Sequence, residues 1–141
     1  MEVRTSDTFC RLELTCDSEI VRVDLAVDSP PRRPTTDSSL GPTLDPLELA
    51  GRKLLALFDR AAPRDFADVY RIAKRFDRDA FIAMANEIDP GFDLAYLALA
   101  LDRAQRLRDH ELPVDETEVL ELRHWLATWS EQIRSDGTST E

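Results

Sequence analysis

The chain has 141 residues, 43% of them apolar, and a formal net charge of −10: the size of one domain or of half a larger one, with enough apolar content for a core. Charges interrupt every apolar stretch, so no segment approaches the roughly 20 apolar residues that span a bilayer. The opening MEVRTSDTF lacks the apolar run of a secretory signal, so the cytoplasm is the expected compartment.

Cys10, Leu12 and Leu14 share one parity, and Val21, Val23, Leu25 and Val27 share another, with turn residues Thr15 to Ser18 between them. This alternation predicts a β-hairpin. A lone hairpin is marginal in water, so it is expected either to dock on helices or to be the tail of a larger sheet. Cys10 and Cys16 have no further cysteine for a zinc set and read as reduced thiols, Cys10 buried. Residues 29–45 hold four prolines and a glycine and predict an ordered loop or linker.

Helical signals follow. Asp45, Pro46 and Glu48 combine an N-cap, a first-position proline and a third-position acid, opening a helix to about Asp59. Pro63 opens a second through Phe76, Asp77 caps a third to Ile88, and Asp93 starts a fourth to Leu107. A fifth runs from about Asp115 to Ile133, and SDGTSTE reads as a frayed tail. The fold class expected is α+β: an N-terminal hairpin followed by about five helices.

Charge is unevenly spread. Between Arg52 and Arg78 eight bases face four acids, a local excess of four positive charges in an acidic chain. Such a site suits a nucleotide phosphate or one end of an RNA better than a long duplex. On a helical wheel Leu47, Ala50, Leu54, Leu57 and Phe58 form the buried arc of the first helix, with Glu48, Arg52 and Asp59 opposite. Lys53 and Arg60 flank that arc, where they either border a cleft or bury their stems with their heads in water; spacing alone favours the second. In the second helix Asp68 stands four residues after Arg64 and three before Arg71, the spacing of a surface ion-pair network. Asp65 sits at the edge of the apolar arc and needs a cation or free helix N–H groups as partner, which capping alone could supply. Asp24 falls on the outer parity of its strand, where an acid is ordinarily part of a wet face.

Together, Val21-Arg22-Val23-Asp24-Leu25, then Leu49-Ala50-Gly51-Arg52-Lys53-Leu54-Leu55-Ala56-Leu57-Phe58-Asp59-Arg60, then Arg64-Asp65-Phe66-Ala67-Asp68-Val69-Tyr70 resemble the characteristic run of AbiEii-type toxins. The likeness continues loosely through Asp89-Pro90-Gly91-Phe92-Asp93 and covers nearly the whole chain. It implies a bacterial abortive-infection toxin with a nucleotidyltransferase core and an appended helical domain, transferring a nucleotide from an NTP to the 3′ end of tRNA under control of a cognate antitoxin. Residues 1–45 would then be hairpin and linker of the core, 46–134 the helical part and 135–141 a disordered tail. The resemblance implies Asp24, Lys53, Asp65 and Asp68 as catalytic residues, Lys53, Arg60 and Arg64 as nucleotide-binding, and Asp24 as a ligand of Mg²⁺.

The sequence also departs from that pattern. Polymerase-β-type transferases carry a Gly-Ser turn and an Asp-x-Asp pair that, with a third Asp, hold Mg²⁺ on the triphosphate; neither motif occurs before Val21. The expectation is therefore a chain that starts downstream of the motif and is inactive alone. The alternatives are a non-catalytic remnant that binds a partner and a helical interaction module.

Overall fold

The computed structural model describes residues 2–138 and is α+β, with a sheet ahead of five helices. The chain divides into two compact units, one ending at Pro31 and one beginning at Arg32. The first is a three-stranded antiparallel sheet of β1 (Glu2–Ser6), β2 (Phe9–Cys16) and β3 (Glu19–Ala26), in that order. The expected hairpin is β2–β3. It closes through Asp17 and Ser18, with Asp17 at φ 55°, a left-handed position that Asp tolerates. β1 was not foreseen, because its EVRTS has a single apolar residue and no alternation to read.

Register turns the alternation into two faces. Val3, Leu12 and Val23 stand side by side, as do Cys10 with Leu25 and Leu14 with Val21, so one face is apolar. The other aligns Arg4, Arg11 and Asp24, and beside them Glu13 and Arg22. Cys10 is half-buried rather than buried, Cys16 is exposed, and both are free thiols.

The second unit starts with the linker, which carries a small hairpin of β4 (Thr36–Ser38) and β5 (Gly41–Thr43). Gly41 adopts φ 109°, a conformation that favours glycine. Five helices follow: α1 (Pro46–Arg60), α2 (Pro63–Ile72), α3 (Arg78–Ile88), α4 (Leu94–Asp102) and α5 (Glu116–Thr138). The expected caps operate: Asp45 accepts from the N–H groups of Leu47 and Glu48, Asp77 from Ala80 and Asp93 from Tyr96. α2 ends four residues early because the amides of Lys74 and Arg75 turn back to carbonyls three residues behind, tightening the chain before Asp77 starts the next helix. α4 likewise passes into a 3-10 turn at Arg103–Arg106. α5 continues to Thr138, and residues 139–141 of the expected tail lie outside the described residues.

α1 packs against α2, α3 and α4, and α5 closes over α4 and α2. The core joins Leu54, Leu57, Phe66, Leu97, Leu101, Leu122, Leu126 and Trp129, each at most 2% exposed. Gly51 lets α1 and α3 touch: a Cβ there would stand 2.6 Å from Met84 Cγ. No helix among the described residues is long and apolar enough to cross a membrane.

Candidate functional site

α1 and α2 are joined by only Ala61 and Ala62. Ala61 takes a left-handed conformation, φ 47° and ψ 46°, and its N–H closes α1 on Leu57 O. α2 thereby folds back along α1, setting Asp65 and Asp68, one turn apart, beside Arg60 and Lys53, two turns apart. Two rungs result. Lys53 Nζ lies 2.7 Å from Asp68 Oδ2, both groups about one-third exposed. Arg60 grips Asp65 with both arms of its guanidinium, Nε at 2.8 Å and Nη2 at 2.7 Å.

Asp65 is fully buried while Arg60 is half exposed. Its Oδ2 also accepts the Ala62 N–H at 3.0 Å, so it closes the start of α2 as well as holding the cation. Burial alone would push its carboxyl up; the hydrogen bonds from Arg60 and Ala62, with Arg60 and Arg64 as nearby charges, hold it below the usual carboxylate range. Asp65 thus has both kinds of partner anticipated for it. Asp68 departs from the expected network along α2: it meets Lys53, while Arg71 donates instead to the carbonyl of Pro113. Arg64 is exposed on the first turn of α2.

Asp24 lies on exposed β3, directly across from Arg11. Both of its oxygens accept from that guanidinium, at 2.6 and 2.7 Å, and these bonds lower its pKa. Two residues along the sheet Glu13 pairs with Arg22, its Oε1 accepting from both Nε and Nη2 of that guanidinium. Asp24 and the Lys53 cluster belong to different compact units.

The residue that the wheel misplaced is Glu48, assigned to the exposed face and found fully buried. Instead of capping its own helix, it accepts the backbone N–H groups of Arg32 and Arg33 and the guanidinium of Arg52. Burial opposes its charge, and these donors lower its pKa despite it. A wheel weighs only a helix's own residues, so a buried acid serving a distant segment leaves no mark on it.

The resemblance implies Mg²⁺, and the donor set does not fit it. The described residues contain no group of three or more His, Cys, Asp or Glu side chains able to hold a metal. Asp24 offers no oxygen that Arg11 does not engage, and Asp65 is likewise filled by Arg60 and Ala62. Mg²⁺ requires oxygen ligands in near-octahedral array, and a single arginine-bound carboxylate supplies none of that.

Neither the comparison with curated proteins nor that with solved structures returned a significant match. The family model of the nucleotidyl transferase AbiEii toxin, type IV toxin–antitoxin system, matches residues 7–139 and so takes in β2, β3, the linker and all five helices. The chain therefore belongs to the AbiEii family of nucleotidyl transferase toxins of type IV toxin–antitoxin systems.

Proposed function

We propose that the α1–α2 rungs bind the phosphates of an NTP whose nucleotide is destined for the 3′ end of a tRNA, within a toxin restrained by a cognate antitoxin. The observation that carries this is the pairing of Lys53 with Asp68 beside that of Arg60 with Asp65. Each cation is held in place by a carboxylate of the facing helix, and each keeps a solvent-reachable side. Lys53 meets the triphosphate as a point charge, moving off Asp68 as phosphate oxygens replace that carboxylate. Arg60, fixed by Asp65, and Arg64 add a planar fork and a further cation. Asp24 is the strand acid that matches the family run. Metal ligation would require it to release Arg11, which engages both of its oxygens.

These side chains support binding more strongly than transfer, because phosphoryl chemistry relies on charge neutralisation that one strand carboxylate cannot organise. The test is incubation of the chain with each labelled NTP, Mg²⁺ and total tRNA. The expected outcome is retention of NTP, weakened about tenfold by Lys53→Ala, with no label incorporated into RNA. Incorporation that disappears in Lys53→Ala overturns the view that these residues alone do not transfer. Failure to retain any NTP overturns the proposal as a whole.

A further inference from the structure

Away from these rungs, α3, α4 and α5 leave a trough of about 940 Å³ between them, lined by apolar side chains that include Leu94, Leu99 and Trp129 and by the charged Arg78, Asp79, Arg134 and Asp136. α4 reads LAYLALALD, apolar almost all round, yet Leu94 and Leu99 are 40% and 58% exposed. A helix of that composition is ordinarily covered on every side.

Arg78 is unusual in its setting. Its guanidinium carbon lies 5.2 Å from the Trp125 ring centroid and 5.5 Å from that of Trp129, and it donates to Gln132 Oε1. Among the described residues no carboxylate pairs with it, Asp79 beside it included. It is the first residue of α3, where the helix dipole disfavours a cation. Burial between the rings lowers its pKa with no acid acting against that. A cation so held is ready for an anion brought by another molecule.

We propose that this trough docks an amphipathic helix of a partner protein, laying leucine-type side chains along Leu94 and Leu99 and placing an Asp or Glu against Arg78. Local charge at Arg78 selects the acid: Asp79 and Asp136 line the same trough but neither pairs with Arg78, and covering it without a counter-charge leaves a desolvated, unpaired cation. Shape selects the helix. A small ligand needs 70–90% of its surface enclosed, which a trough floored by such exposed leucines does not give, whereas a helix lies in a groove with its polar side in water.

The test selects a displayed library of helix-forming peptides, about 15 residues long so that they hold a helix, on the full chain. The expected winners carry apolar residues at i, i+3 or i+4 and i+7 with one Asp or Glu. Their binding falls about tenfold or more in Leu99→Asp and in Leu94→Glu, surface changes checked for fold by circular dichroism. In Arg78→Gln the preference for the acidic peptide over its amide counterpart disappears. The proposal is overturned if no selected peptide is lost in both surface variants, if winners lack an acid or ignore Arg78→Gln, or if the chain self-associates through this face and Leu99→Asp abolishes that, which would assign the trough to a second copy.

Discussion

Asp65 and Asp68 sit three residues apart on one helix, carry the same charge and each hold a basic partner, yet burial separates what they do. Asp65 is sealed from water with three hydrogen bonds to its carboxylate, so Asp65→Asn leaves buried donors poorly matched; the expected loss of folding stability is about 1–3 kcal/mol. Asp68 and Lys53 are partly exposed, and Asp68→Asn should cost below about 1 kcal/mol. Urea titrations of the two variants measure the contrast. Asp65 and Glu48 both have folded pKa values below their ordinary ones. Their stabilisation is therefore complete above the unfolded values near about 4 and is lost as pH falls through the lower folded values. Thermal melts should hold steady from neutral pH to about 5 and drop on further acidification, and Glu48→Gln should flatten that drop. What was legible here was Asp65's need for a partner, since an acid at the edge of an apolar arc demands one. The choice between Arg60 and Lys53 depended on the left-handed turn at Ala61, where the residue type gave no warning.

At the scale of elements, local signals carried far. Asp45, Asp77 and Asp93 each marked a helix start because a carboxylate accepting helix N–H groups is a local device. Helix ends were less legible: α2 and α4 finish in tightened turns whose residues are good helix formers, so propensity ran past the true boundary. β1 was missed for the opposite reason, as its pairing with β2 supplies an order that its own residues do not advertise. The α1–α3 contact yields a prediction. Gly51→Ala places a methyl within 2.6 Å of Met84 Cγ and 3.0 Å of its Cβ, so the helices must part and stability should fall by about 1–3 kcal/mol. Met84→Ala in the same chain should recover part of that loss in a double-mutant cycle. Simple additivity of the two changes would show that the helices do not meet there.

For the whole molecule, family membership was readable because the Lys53 to Tyr70 run combines cations, acids and aromatics at fixed spacing, and the same spacing builds the rungs between α1 and α2. Asp24 was harder to judge. The four-residue turn read at Thr15 to Ser18 sets Phe9 opposite it, whereas the two-residue turn of the structure brings Arg11 there, and a strand acid read alone gives no sign that an arginine occupies both its oxygens. The proposed function requires the α1–α2 cations to hold nucleotide phosphates without metal ligands from the described residues. Calorimetric titration of ATP into the chain, with Mg²⁺ and with EDTA, tests it most directly alongside Lys53→Ala and Arg64→Ala. Saturable binding of similar affinity is expected in both buffers, weakened about tenfold by Lys53→Ala and less by Arg64→Ala. Binding that needs Mg²⁺, or that persists unchanged in both variants, would contradict it.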